Sequence, residues 1–272
     1  MAFEKVNMYH PDKVADRIAG ALVDYCYTQH PNTKTAIEVL IGHGLCTIVA
    51  ESVIEITEEI ARPIVDRIAG EGLEIKVVCT PQDVHLARNQ AEDVRCGDNG
   101  IFKGMPITDE EMELTKIAQE LSSTYKSDGK YILDGNKLIV CQSNCDSEQL
   151  ANELHNKYPE FDIVVNPLGD WTGGTMVDAG ATNRKLGSDA GPAVMGCGYH
   201  GKDLSKADVS VSIYCFLEAQ RTKKQQNAFC AIGDKEVNVN GIMIPYAEIV
   251  KTAKTYIDQL GGFEVFAEWG LW

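Results

Sequence analysis

The chain is predicted to be α+β, built as three passes of one helix–strand–strand–helix–strand pattern. Three observations carry that prediction. Apolar spacing switches between helical and two-residue periods along the chain, and the strands cluster in hairpins instead of alternating singly with helices. The leading helices begin near residues 11, 108 and 205, so the units recur every 97 residues. The units share an order of elements and no sequence identity; helices of this kind can cover one face of each sheet.

In the first unit, Val14, Ile18, Ala21, Leu22, Tyr25 and Cys26 form a helical stripe over residues 11–28. Strand-like runs Thr35–Ile41 and Cys46–Ile56 follow, joined through Gly42, His43 and Gly44. Thr57, Glu58 and Glu59 open a helix toward Gly70 that Pro63 should disturb, and Glu74–Cys79 returns as a strand. The second unit starts at a capping box, Thr108 with Glu111, ahead of a helix carrying Met112, Ile117, Ala118 and Leu121. Asp134-Gly135-Asn136 marks a hairpin turn, Asp146 starts the next helix, and Phe161–Val165 is the returning strand. The third unit runs from a helix near Ser205, through strands at Ala228–Ile232 and Val237–Ile244 and a helix opening at Pro245, to a last strand at Phe263–Phe266. Residues 80–107 and 166–203 are long, irregular and rich in Gly and Asp, a composition that points to function.

With 44% hydrophobic and 24% charged residues among 272, the chain has the balance of a soluble globular protein and not of a disordered one. No apolar run reaches the roughly 18 residues that span a bilayer, and the polar start from Met1 to Lys5 has no leader-like core. The charge of −15 repels nucleic acid and anionic membranes, so phosphate groups must be met by local cation clusters or a metal. Nine scattered cysteines read as reduced thiols of a cytoplasmic protein. Cys141 and Cys145 alone lie close together, and no second pair completes a zinc site.

Gly196-Cys197-Gly198-Tyr199-His200-Gly201-Lys202 fits two phosphate-loop templates, each weakly: no βαβ unit precedes it, and Asp203 stands where a P-loop has Ser or Thr. Lys202 and Lys206 flank a helix start, Arg184 and Lys185 lie upstream, and Asp178, Asp203 and Asp208 are interleaved with them. Backbone N–H groups at a helix start plus several cations make an anion site; carboxylates among them point to Mg²⁺ or a cationic substrate group. His10, Pro11, Asp12 and Lys13 repeat the theme at the first helix. Glu38 and Glu51 interrupt apolar strands, and a hairpin centred on His43 would put them on opposite faces.

Together these segments resemble the S-adenosylmethionine synthetase (methionine adenosyltransferase) family. His10-Pro11-Asp12-Lys13-Val14-Ala15-Asp16 is similar to its GHPDK-x-AD signature, Gly97-Asp98-Asn99-Gly100 to GDQG, and Ser127-Asp128-Gly129-Lys130 to P-D-A-K. Ala181-Thr182-Asn183-Arg184-Lys185 is similar to L-T-G-R-K, and Gly196 to Asp208 to the family's glycine loop. The matches fall in the family's order. The resemblance implies the synthetase fold, three α+β units in a pseudo-threefold arrangement. They are expected at 1–107, at a shortened 108–166, and at 167–272, where the glycine-rich loop precedes the C-terminal unit.

The implied reaction is attack of the methionine sulfur on the 5′ carbon of ATP. It expels tripolyphosphate, which is then hydrolysed to diphosphate and phosphate. By resemblance, His10, Lys130, Arg184 and Lys185 are catalytic, and Lys13, Asp128, Trp171, Lys202, Lys206 and Ile232 contact ATP or its polyphosphate. Trp171 falls where the family stacks an aromatic ring on adenine. Glu51, Asp98 and Asp178 face methionine; Asp12 and Asp208 hold Mg²⁺, two ions per site, and Glu38 holds K⁺. The implied assembly is a homodimer or a dimer of dimers with the site between subunits. The competing readings are a non-catalytic homologue that binds ATP or S-adenosylmethionine, and a tripolyphosphatase. Departures include Tyr9 before His10, Ser188-Asp189-Ala190-Gly191 in place of D-T-Y-G-G, and Cys197, Tyr199 and His200 in the glycine loop.

Overall fold

The computed structural model describes residues 2–89, 93–195 and 198–272. Gly196 and Cys197 of the glycine-rich motif lie outside the described residues. The first stretch gives β1 (Phe3–Val6), α1 (Pro11–Gln29), β2 (Thr35–Gly42), β3 (Leu45–Ser52), α2 (Glu58–Ala69), β4 (Glu74–Thr80), α3 (Val84–Asn89) and β5 (Gly100–Gly104). The middle gives α4 (Asp109–Tyr125), β6 (Gly129–Asp134), β7 (Lys137–Gln142), α5 (Ser147–Lys157) and β8 (Asp162–Val165). The last part gives β9 (Gly180–Ala181), α6 (Leu186–Ala190), α7 (Ala207–Thr222), β10 (Gln226–Cys230), β11 (Glu236–Val239), β12 (Ile242–Pro245), α8 (Tyr246–Leu260) and α9 (Phe263–Trp269).

The fold is α+β with three four-stranded sheets, ordered β4-β3-β2-β9, β1-β6-β7-β8 and β12-β11-β10-β5. The first two share one plan: a hairpin, a helix, a parallel third strand, and a fourth strand lent by another part of the chain. Strand exchange runs through all three sheets. β1 leaves the first segment for the middle sheet, β5 leaves it for the C-terminal sheet, and β9 from the last segment closes the first sheet. The sheets therefore do not follow the contiguous boundaries 1–107, 108–166 and 167–272.

Local chemistry explains most elements. The Thr108 hydroxyl accepts from Glu111 N while the Glu111 carboxylate accepts from Thr108 N, the reciprocal capping box that starts α4. α2 passes through Pro63 unbroken, capped by Thr57. Asp134 pairs with Lys137 around Gly135, whose φ of 61° suits a two-residue turn. α1 and α7 are buried on nearly every side and form the centre of the main core, against the first and third sheets; a second, smaller core joins α4 and α5 to the middle sheet.

Two further expectations are corrected. Phe263–Phe266 is not a strand but the start of α9. Asp24 on α1 caps it, accepting from Phe263 N at 2.7 Å and Glu264 N at 2.9 Å, and a Cβ on Gly20 would sit 2.6 Å from Phe263 O, so only glycine lets the two helices meet. The hairpin of β2 and β3 turns about His43 and Gly44, not about His43 alone, with Gly42 opposite Leu45. Glu38 then faces Val49, and Glu51 faces Ala36. Both carboxylates share the outward face of the sheet, exposed among Leu40, Val49 and Val78.

Candidate active site

The first helix start is held by an extended segment laid along it. His10 is the N-cap of α1, its Nδ1 accepting from Asp12 N at 3.1 Å. Asp12 and Asp16 are one helical turn apart, so their carboxylates line one face, and each takes a backbone N–H from alternate residues of the extended chain: Ala181 N to Asp12 Oδ1 and Asn183 N to Asp16 Oδ1, both at 2.8 Å. β9 lies so close that a Cβ on Gly180 would be 2.1 Å from the Pro11 carbonyl. This contact delivers Lys185 Nζ to Asp12 Oδ2 at 2.6 Å and leaves Arg184, mostly exposed, 3.6 Å from Asp12 Oδ1.

Around this start gather Asp128, Asp178 and Lys130. Burial, with Lys185 nearby, pushes the His10 imidazole down to about 4, so it is neutral at pH 7. Its Nδ1 already accepts, which leaves the proton on Nε2. Asp128 is 4% exposed; burial and the Asp178 carboxylate push its pKa up to about 7, and its Oδ1 has no hydrogen-bond partner. Gly173 packs on Asp128 and Ser143, where a Cβ would come within 2.8 Å of both. Trp171, 36% exposed, donates from Nε1 to Asn166 at 3.0 Å and lines a shallow cavity of about 420 Å³ with Asn144 and Asp146. Lys130 pairs with Glu4 at 2.8 Å on a half-open surface, and Asp178 is exposed, accepting from Ala179 N.

Lys13 departs from expectation. It is fully buried, 2.5 Å from Asp189 and 3.5 Å from Asp16, an ion-paired interior position and not one on the open surface of the site. His200 completes this cluster with Nε2 at 2.8 Å from Asp189 Oδ2. Asp189 is held well below the usual carboxylate range: burial opposes ionisation, but Lys13 and His200 overcome it. Asp16, Asp189 and His200 present ligand atoms within 4.8 Å of one another, a set that could hold a divalent ion; the Lys13 ammonium supplies positive charge at the same place. Sequence reading missed Asp189 and His200 as partners of Lys13, since 176 residues separate Lys13 from Asp189. The one available signal was that both positions depart from the family pattern.

A second group assembles elsewhere on β2. Lys202 pairs with Ala36 across a bridge, and Gly201 O accepts from Ile37 N. Lys202 Nζ reaches Asp208 Oδ2 at 2.6 Å in the first turn of α7, where Lys206 is the N-cap residue. Burial works against the Lys202 ammonium, but Asp208, with Glu38 and Asp98 behind it, lifts its pKa above the ordinary value. Asn99 accepts from Ile232 N at 2.7 Å, which brings the exposed Ile232 beside Asp98. Glu38 accepts the Thr182 hydroxyl and stands between the groups on the outward face, with Glu51.

The expected residues thus fall into two sets. His10, Asp12, Asp128, Lys130, Asp178, Arg184 and Lys185, with Trp171 nearby, surround the start of α1; Asp98, Lys202, Lys206, Asp208 and Ile232 surround the start of α7. Among the described residues no hydrogen bond or ion pair joins the charged members of one set to the other. β9 meets β2 at Leu40 and Lys202 meets it at Ala36, so their anchor points are roughly 14 Å apart along the strand. Both sets offer hard oxygen ligands beside lysines. Asp128 Oδ1 is buried without a hydrogen-bond partner, and beside the other carboxylates it fits Mg²⁺ or an ammonium group. Cys141 and Cys145 are free thiols, and among the described residues no third ligand joins them.

Comparison with known proteins bears on these sets. Residues 1–90 match the family model described as S-adenosylmethionine synthetase, N-terminal domain. An S-adenosylmethionine synthase of a Nitratiruptor species is 30% identical over 265 residues, covering 76% of this chain and 69% of the relative. That of Helicobacter acinonychis is 27% identical over 267 residues, covering 77% and 69%. The fold matches a solved structure described as an unusual S-adenosylmethionine synthetase from Campylobacter jejuni, with a TM-score of 0.78 and 17% identity over 100% of this chain and 94% of that one. With a relative at that identity and coverage, and with the family's motifs gathered around two helix starts, the chain belongs to the S-adenosylmethionine synthetase family.

Proposed function

We propose that this protein is a methionine adenosyltransferase acting as a homodimer or a dimer of dimers, each active site joining the α1 set of one subunit to the α7 set of its partner. The observation that carries the reading is the division of the cations: neither set alone neutralises a triphosphate, and the two are held apart by β2 itself. The outward face of the first sheet supports the assembly, because Leu40, Val49 and Val78 lie exposed there at 55%, 46% and 53% beside Glu38 and Lys202.

In this reading methionine sulfur displaces tripolyphosphate from the 5′ carbon of ATP. The sulfur carries no proton, so no general base is needed. The protein's task is alignment of the two reactants and stabilisation of charge on the leaving oxygen. Neutral His10 donates from Nε2 toward that oxygen. Lys130, Arg184 and Lys185 on one side, with Lys202 and Lys206 on the other, meet the phosphates, and Trp171 stacks on adenine. Lys185 and Lys202, paired here with Asp12 and Asp208, turn to the polyphosphate, and Asp12 and Asp208 would hold Mg²⁺, which would supply further neutralisation. Asp178, Asp98 and Glu51 receive the methionine end, Asp128 lies toward adenosine, and Glu38 would hold K⁺. Among the described residues no helix is long and apolar enough to cross a membrane, and the scattered spacing of the cysteines in the sequence favours a cytoplasmic setting.

The test is product analysis by mass spectrometry after incubation with ATP, Mg²⁺ and K⁺, with and without methionine. S-adenosylmethionine, diphosphate and phosphate are expected only with methionine. Nucleotide binding without turnover would support a non-catalytic homologue, and phosphate release independent of methionine would support a tripolyphosphatase.

A further inference from the structure

Beside the α7 set lies a cavity of about 430 Å³ between the end of α1, Leu204 and Ser205, and α8. We infer that it is a second binding site, for a small phosphate-bearing anion. Lys34 lines it, half-buried, and makes no ion pair among the described residues. Arg95 lines it too, with its Nε buried and unpartnered. Among the described residues its ion-pair partner is Asp93, 3.5 Å away and already taken by Lys235 at 2.7 Å. Thr33, 1% exposed, adds a hydroxyl without a partner. Lys254 at the rim is balanced by Asp258. The nearby buried carboxylate, Asp203, is already bonded to Thr35 N and to Ser205, so Lys34 and the idle buried donors of Arg95 and Thr33 mark a place where an anion completes the hydrogen bonding.

Its position gives it a consequence. Leu204 and Ser205 form one wall; Ser205 O accepts from Gly97 N at 3.1 Å, beside Asp98, and Ser205 N donates to Asp203, next to Lys202. An anion drawn between Lys34 and Arg95 would therefore brace both segments that carry the α7 set. The binding claim stands on the cavity alone; the effect on turnover rests on the function proposed above.

Isothermal titration of the full chain with inorganic diphosphate, and separately with AMP, tests the site and tells a free phosphate from a nucleotide source. Lys34→Met and Arg95→Met should each weaken one binding event about tenfold, and the double variant should abolish it. Lys185→Met should leave that event in place while removing binding at the α1 set. Unchanged diphosphate and AMP binding in a double variant that keeps the wild-type melting temperature would overturn the proposal. So would binding lost with Lys185→Met and retained with Lys34→Met. Should the double variant melt early, Lys34→Gln, which keeps a polar end group without the charge, carries the same comparison. Loss of this event without any adenosyl transfer by the wild type would leave the site standing and remove the proposed function instead.

Discussion

Replacing Gly180 with alanine probes the contact on which the α1 set depends. A Cβ there would lie 2.1 Å from both the carbon and the oxygen of the Pro11 carbonyl and 2.5 Å from Asp12 N, so every obstructing atom is backbone and none can rotate away. Either β9 backs off, breaking the Ala181 N to Asp12 bond of 2.8 Å and withdrawing Lys185, or the whole contact is strained. Overpacking of this kind costs about 3 kcal/mol at its upper end. In a chain of this size that corresponds to a fall in Tm of roughly 6–10 °C. Gly187→Ala is the control, since a Cβ there meets nothing within 4 Å and the residue lies in α6. Thermal unfolding and adenosyl transfer, measured on both variants, should show Gly180→Ala unstable or nearly inactive and Gly187→Ala unchanged. A Gly180→Ala protein that melts and turns over like wild type would refute the packing of β9 on α1.

Other consequences follow from the buried charges. Lys13→Met leaves Asp16 and Asp189 enclosed with the His200 imidazole beside them and should lower unfolding stability by about 3–5 kcal/mol in urea, whereas Arg62→Ala, at an exposed pair with Glu58, should leave the Tm unchanged. Burial raises Asp128 from 3.8 to about 7, so the folded protein keeps a proton there that the unfolded chain loses; this group's contribution to stability falls as pH rises from about 4 to 7 and is level above that. Urea titrations at pH 4.5, 6 and 7.5 should show Asp128→Asn gaining on wild type across that window, and a constant difference between them would contradict the assignment.

Much of this was readable in the sequence wherever the cause is local. The stripe from Val14 to Cys26 became α1, and the Thr108 and Glu111 capping box and the Asp134-Gly135-Asn136 turn appear where their chemistry requires. The Phe263–Phe266 segment misled because four residues with three apolar ones fit either period. What decides for helix is Asp24 and Gly20, more than two hundred residues earlier. The placement of Glu38 and Glu51 turned on one residue of register, which flips a strand's faces. Lys13 lies beside two site residues in sequence, and only the burial of its neighbours Asp189 and His200 shows that it points inward. Strand exchange among the sheets has no local signature, so contiguous units were the natural expectation.

The proposed division of the site between two subunits is tested most directly by complementation. Lys185→Met disables the α1 set and Lys202→Met the α7 set, so each homodimer should be inactive. Coexpressed in equal amounts, they form mixed dimers in which one of the two sites unites both intact sets, and adenosyl transfer should return to about a quarter of the wild-type rate. If the mixture stays at the level of its parents while mixed dimers are present, each subunit holds its own site and the shared arrangement is contradicted.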